Sequence, residues 1–250
     1  MIKISAVIIC LNEEKNIARC LDSLQGVADE MVVVDSFSTD KTKEICLKKG
    51  VRFIENKFLG HIEQKNFAVE SATYDWVLSL DADEALDNTL KNTILEIKKN
   101  PSFQAYSMNR LTNYCGHWVK HCGWYPDRKL RFWNRNIGKW GGTNPHDEVL
   151  VGADIKVQHL KGDILHYSYY TIHDHLKQLN YFTEIMANEA FKKGKKGSLI
   201  KIIFSPLVKF IKSYFIQRGF LDGYYGFIIC MISAFATFIK YLKLGELSKK

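Results

Sequence analysis

Four apolar runs, at 4–10, 31–34, 51–54 and 76–80, alternate with segments whose apolar residues follow helical spacing, and this alternation most constrains the fold. The run at 4–10 is nearly continuous, as expected for a strand covered on both faces. After it, Ile17, Cys20, Leu21 and Leu24 mark one face of a helix, with Asn12 expected to cap it. Asp40 is placed to cap a second helix carrying Ile45 and Cys46. Helices are expected at about 63–72 and 86–99, the latter through Leu90, Ile94 and Ile97. Such a β/α alternation argues for a mainly parallel sheet with helices on both faces. Beyond Pro101 the style changes to short strand candidates at 105–110, 130–133, 149–151 and 164–167, then a helix at 172–192.

The chain of 250 residues is expected to form one large domain or a domain with an appendage. Its formal charge of +8 is uneven: 192–250 holds twelve Lys/Arg against two Asp/Glu, leaving 23 positive and 25 negative residues elsewhere. A near-neutral body with a basic tail points the tail at an anionic surface. Leu199, Ile203, Phe204, Val208 and Phe215 interleave with Lys201, Lys209 and Lys212. The uncharged stretch 226–239 is 14 residues, short of the roughly 20 that span a bilayer. We therefore expect interfacial helices lying on a membrane, with a helical hairpin on the core or on a twin subunit as the alternative. The organisation expected is a catalytic domain over 1–191, divided into 1–100 and 101–191, followed by a membrane-associating region over 192–250. Six dispersed cysteines without a Cys-X-X-Cys, and no charged-then-apolar leader, fit a reducing compartment and a cytoplasmic body.

Three strand ends carry polar groups. The first gives Asn12, Glu13 and Glu14; the second gives Asp35 to Asp40; the fourth gives Asp81, Ala82, Asp83 and Glu84. Neighbouring parallel strands bring such ends to one rim, where ligands bind in open α/β sheets. As alternate residues at the carboxyl end of a strand, Asp81 and Asp83 are expected to project to the same side. Two carboxylates on one side repel unless a cation lies between them. Oxygen ligands suit Mg²⁺ or Mn²⁺, which keep positions open for a diphosphate. Asp35 could accept hydrogen bonds from a base or ribose. Each residue also has a bland role, as a cap or a turn former; their joint placement is the argument.

The sequence resembles family 2 glycosyltransferases at Ile8-Ile9-Cys10-Leu11-Asn12-Glu13-Glu14, Val33-Val34-Asp35-Ser36-Phe37-Ser38-Thr39-Asp40, Gln64-Lys65-Asn66 and Leu80-Asp81-Ala82-Asp83-Glu84. It is more narrowly similar to the bacterial lipopolysaccharide core β-1,4-glucosyltransferase subfamily at Gly123-Trp124-Tyr125-Pro126-Asp127, Leu130-Arg131-Phe132-Trp133, Pro145-His146-Asp147-Glu148, His166-Tyr167 and Gly219-Phe220-Leu221-Asp222-Gly223. The resemblance implies a GT-A fold, a mixed Rossmann-like sheet flanked by helices. It also implies inverting transfer of a hexose, glucose first, from a UDP-sugar to a lipopolysaccharide core or other lipid-linked acceptor. The site it implies has Asn12, Glu13, Asp35, Lys65, Asn66, Asp81 and Arg131 on the donor and Asp83, Asp81 and His166 on a divalent Mg²⁺ or Mn²⁺. Asp147 is the expected base, with adjacent Glu148 as the alternative, because relatives usually read His-Glu here. Trp124 and Tyr125 are expected at the acceptor sugar, although aromatic residues also fill cores. Arg128, Lys129 and Arg131 are candidates to contact donor phosphates or an anionic acceptor, with a solvated basic loop as the alternative for Arg128 and Lys129.

The partners implied are the nucleotide-sugar, a membrane-held anionic acceptor on the inner face of the cytoplasmic membrane and a twin subunit; nucleic acid is not expected. Cys115, His117, His121 and Cys122 offer zinc-type ligands, but their spacing is too tight for the usual paired knuckle. A sugar nucleotidyltransferase would need a Gly-rich basic loop where Asn12, Glu13 and Glu14 stand. A non-catalytic membrane scaffold would not need both Asp81 and Asp83.

Overall fold

The computed structural model describes residues 1–143 and 146–248. Pro145, part of the acidic motif, and the last two lysines lie outside the described residues. Strands β1 (Ile4–Cys10), β2 (Glu30–Asp35), β3 (Arg52–Glu55) and β4 (Trp76–Asp81) alternate with helices α1 (Ile17–Leu24), α2 (Thr42–Lys48) and α3 (His61–Glu70). There follow β5 (Glu84–Leu86), α4 (Asn88–Lys99), β6 (Ala105–Tyr114), β7 (His117–Trp118), β8 (Asp127–Asn134), β9 (Gly138–Thr143), β10 (His146–Val151) and β11 (Val157–Tyr169). Three long helices close the chain, α5 (Ile172–Lys192), α6 (Leu199–Ile211) and α7 (Gly223–Leu247).

Among the described residues the main sheet runs β3-β2-β1-β4-β8-β6-β11-β5, with β7 on β6, while β9 and β10 form a separate antiparallel hairpin. The first four strands pair in parallel, and β8 lies antiparallel to both β4 and β6. Two compact units result: 1–110 with 127–167, and 111–126 with 168–250.

In the first unit, strand periodicity sorts side chains onto two buried faces. Ile4, Ala6, Ile8, Val33, Leu78 and Leu80 join one cluster, closed by Ile17, Leu21 and Leu24 of α1 and Leu90 and Ile94 of α4. Val7, Val32, Val34 and Val77 turn to the other face, where Ala68, Val69, Trp133, Trp140 and Val149 cover them. Burial on both faces explains why the sequence shows continuous apolar runs instead of alternation. Asp87 caps α4 by accepting from the Leu90 N–H at 2.6 Å. Gly162, at φ +96, lets β11 cross this helix start, since a Cβ there would collide with the Leu90 backbone.

Two local expectations change. Asn12 does not cap α1: it takes φ +56, which asparagine tolerates, and its Oδ1 accepts from the Thr39 N–H at 2.8 Å. The loops after β1 and β2 are therefore stitched together. Strand alternation also fails for the carboxylate pair, because β4 ends at Asp81 and Asp83 lies in the turn before β5. The two aspartates acquire separate partners.

The second unit has its own core of Tyr114, Val119, Cys122, Ile229 and Cys230. Burial pushes the His175 imidazole down to about 4, and its Nδ1 lies 3.0 Å from the Tyr114 hydroxyl. Gly226 allows close contact at the start of α7, where a Cβ would meet the Gly219 carbonyl. The helical stretch through α7 runs 219–247, and an 18-residue window within it has a mean hydropathy of 1.7. By length and composition it is able to cross a membrane, so the length argument from the uncharged stretch does not hold. α7 packs against α5 and α6, burying Ile229, Cys230, Ile232 and Ala234. By contrast, α6 has no fully buried residue.

Candidate active site

β4 delivers Asp81 to the rim of the sheet, and α3 delivers Lys65 beside it. The Lys65 side chain is 5% exposed, so its ammonium requires anionic partners. It has two: Nζ lies 3.0 Å from Asp81 Oδ1 and 2.7 Å from Asp147 Oδ2. The β10 register, which sets Asp147 opposite Gly142 and Val149 opposite Trp140, turns the Asp147 side chain towards this point. Neighbouring side chains on a strand face opposite ways, and Glu148 is exposed. Asp147 is thus the candidate that Lys65 holds, while Glu148 lines the same cavity without that bond.

A second buried cation supports Asp81 from below. Arg131 Nη2 donates to Asp81 Oδ2 and to Glu84 Oε1, both at 3.2 Å. Glu84 is fully buried and its Oε2 accepts the Asp81 N–H at 3.0 Å. Arg110 reaches Glu84 at 3.4 Å and Asp127 at 2.9 Å. Burial alone would raise the Asp81 carboxyl, but the charges of Lys65 and Arg131 hold it well below the usual carboxylate range. Burial likewise works against the Arg131 charge, and Glu84 and Asp81 raise its hold on the proton. Trp140 closes one side, with Lys65 Nζ 4.4 Å and Arg131 Cζ 5.0 Å from its ring centre.

Asp83 belongs to a different pair. β11 lies antiparallel to β5 with His166 opposite Glu84, and the Tyr167 N–H donates to the Asp83 carbonyl at 2.9 Å. This register brings His166 Nε2 to 3.2 Å from Asp83 Oδ2. That separation is also a hydrogen-bond distance, so the two side chains hold each other where an ion would be held between them. Carboxylate oxygen with imidazole nitrogen suits Mn²⁺ better than Mg²⁺, which prefers oxygen alone and would be held by Asp83, and such ions commonly take one or two protein ligands and complete their shell on phosphate. The pair fits the ion. Asp81 is committed to Lys65 and Arg131, and no group of three or more His, Cys, Asp or Glu side chains is placed to hold a metal among the described residues. The ligand set expected from sequence is thus drawn together as a pair. The same statement covers the Cys115–Cys122 segment, where His121 Nδ1 lies instead 3.0 Å from Asp222 Oδ1.

The other expected donor residues line the strand ends in different ways. Asp35 is buried and organises the 35–38 turn, accepting the Ser38 N–H at 2.7 Å. Burial pushes the Glu13 carboxyl up to about 7, partly opposed by a 2.8 Å hydrogen bond from Asn16 and reinforced by the charge of Asp83. Asn66 spends its amide on Trp140, accepting from its N–H and donating to its carbonyl, both at 3.0 Å. It fastens the β9–β10 hairpin to α3. Trp124 packs with Tyr114, Tyr169 and His175 in the second unit, at ring separations of 6.0, 5.8 and 5.9 Å. Tyr125 adjoins it there.

Glu84, Arg110, Asp127 and Trp140 were not among the residues expected at the site. Glu84 had a signal, as the third carboxylate after an apolar run. Arg110 and Asp127 meet only through the β6–β8 register, which pairs them directly.

The sequence model of Glycosyl transferase family 2 matches residues 5–156. An uncharacterised glycosyltransferase of Rickettsia typhi is 34% identical over 260 residues, covering 100% of this chain and 89% of that protein. The lipopolysaccharide core biosynthesis glycosyltransferase LpsC of Rhizobium meliloti is 29% identical over 254 residues, covering 97% and 92%. Among solved structures, glucosyl-3-phosphoglycerate synthase of Mycobacterium tuberculosis with Mn²⁺, UDP and glucosyl-3-phosphoglycerate matches at 25% identity and a TM-score of 0.36. That match covers 45% of this chain and 44% of the other, under half of each. The residues around Asp81 and Asp83 lie within the matched family region, and the mixed sheet flanked by helices is of the GT-A kind: this chain belongs to glycosyltransferase family 2.

Proposed function

We propose that this enzyme transfers a hexose, glucose first, from a UDP-sugar to a membrane-held lipopolysaccharide core or related lipid-linked acceptor, with inversion. The observation that carries the reading is the Lys65 bridge, which places an acceptor-side carboxylate, Asp147, beside the Asp81 motif. The name of the Rhizobium meliloti relative supports the acceptor class. In a single displacement the acceptor oxygen bonds to the anomeric carbon as the bond to the diphosphate oxygen breaks. Asp147 Oδ takes the hydroxyl proton, and Lys65 holds the carboxylate in place. Asp83 and His166 would hold the divalent ion, whose charge stabilises the departing diphosphate. Asn12, Glu13 and Asp35 shape the nucleotide end of the rim.

A donor panel tests this reading. UDP-glucose with Mn²⁺, at about 100-fold above its Kd, should raise Tm by roughly 5–10 °C, more than GDP- or dTDP-sugars. No shift with any of the three nucleotide-sugars defeats the donor assignment.

The membrane reading rests on α6. Leu199, Ile200, Ile203, Phe204, Leu207 and Val208 are all exposed, forming a continuous apolar face. Lys201, Lys209 and Lys212 flank it, and Lys195 and Lys196 precede it. An apolar face with a basic border suits the headgroup region of an anionic bilayer. The protein should sediment with phosphatidylglycerol-containing vesicles and less with phosphatidylcholine alone. The double substitution Ile200→Glu and Phe204→Glu should weaken that binding about 10-fold or more. Undiminished sedimentation of the double variant removes α6 from the interface; self-association of the native chain without vesicles would favour a twin subunit instead.

A further inference from the structure

We propose that the cavity beside Asp147 is an acceptor subsite that recognises a phosphate group, with Arg131 at its base and Arg128 at its mouth. The proposal rests on the glycosyltransferase reading above and narrows its acceptor class to a sugar bearing phosphate near the attacking hydroxyl.

The cavity has a volume of about 480 Å³, and its lining includes Arg110, Arg128, Lys129, Arg131, Asp147 and Glu148. Lys65 and Asp81 line it as well, at the edge shared with the donor, whereas Asn12, Glu13, Asp35 and Asp83, at the nucleotide end of the rim, do not. A hydroxyl that surrenders its proton to Asp147 must come within hydrogen-bond reach of that carboxylate. The molecule carrying the hydroxyl therefore fills this space.

Arg131 gives the space its chemistry. Its side chain is 4% exposed, and Nη2 serves both Asp81 and Glu84. Its Nε and Nη1 are buried and have no hydrogen-bond partner. Charged donors without acceptors are costly in a protein interior, more so than neutral ones. The nearby carboxylates are already shared: Asp127 between Arg110 at 2.9 Å and Lys129 at 3.1 Å, and Glu84 between Arg110 and Arg131. Arg128 is exposed and forms no ion pair among the described residues. The Trp140 ring covers one face of the Arg131 guanidinium, which leaves its edge for a ligand. A neutral sugar hydroxyl brings a donor as well as an acceptor to this edge. Phosphate brings acceptors only, in the geometry that guanidinium groups match best.

Inorganic phosphate is the probe, titrated calorimetrically into the full chain with and without saturating UDP and Mn²⁺. Phosphate should bind in both conditions, with affinities within about threefold. Arg128→Ala, at an exposed position, should fold normally and weaken phosphate about 10-fold. Arg131→Lys keeps a cation under Asp81 and Glu84 but removes the two unpartnered donors, and should weaken phosphate at least as much. Unchanged phosphate affinity in both variants overturns the proposal, as does absence of binding to the native chain. Displacement of phosphate by UDP also overturns it, since the anion site would then belong to the donor. Phosphate binding without any UDP binding would leave the subsite standing and defeat the UDP-sugar reading.

Discussion

Asp147→Asn is expected to lower turnover by about 10²–10⁴-fold, the usual range for a lost general base, with donor affinity nearly unchanged. Asparagine preserves the shape and can still meet Lys65 as an acceptor, so the hairpin should stay in place. What it loses is the ability to take a proton. Glu148→Gln should retain most turnover, because Glu148 is exposed and Lys65 holds Asp147 instead. The two variants are compared at saturating donor while acceptor is varied, alongside nucleotide titrations. Near-normal turnover of Asp147→Asn, or collapse of Glu148→Gln, would transfer the base role to Glu148.

Asp83→Ala should abolish the dependence of UDP binding on Mn²⁺ and lower kcat/KM by on the order of 10²–10⁴-fold, several kcal/mol of leaving-group stabilisation. His166→Ala should do the same in smaller degree, because the carboxylate remains. Asp81→Asn is the instructive control. Asp81 is tied to Lys65 and Arg131, so its neutralisation should reduce stability by leaving each of these buried cations with one carboxylate, Asp147 and Glu84 respectively, while metal-dependent UDP binding stays in place. Titration of UDP with and without Mn²⁺ separates these outcomes from activity. Should Asp81→Asn erase the metal effect while Asp83→Ala keeps it, the pairing of Asp83 with His166 is the wrong ligand set.

The parallel half of the fold is legible because β1, β2 and β4 are buried on both faces, and continuous apolar runs leave few other solutions. Helix α5 is equally plain: its expected span, 172–192, is the observed one. The antiparallel half is harder. The expected strand at 164–167 is the middle of the 13-residue β11, whose ends are polar and partly solvated. The hairpin's first strand, Gly138–Thr143, has three glycines in six residues and carries almost no strand signal. The site divides the same way. The carboxylates announce themselves, since acidic residues closing an apolar run have few structural uses. Their allocation does not: whether Asp81 meets a metal or Lys65 depends on where β4 stops and where α3 lies. Arg110 and Asp127 lie 17 positions apart and become neighbours only through a strand register. Sequence spacing encodes neither fact.

The β9–β10 hairpin is not part of the main sheet; its bonds to α3 run through Asn66 to the backbone of Trp140 and through Lys65 to Asp147. A carboxylate mounted on such an outrigger can be re-aimed by changes within a dozen residues, none of which belongs to the parallel strands. Natural variants could thus diversify what is glycosylated while keeping one sugar currency, and grafting this hairpin between homologues is a route to swapping acceptors without rebuilding the scaffold.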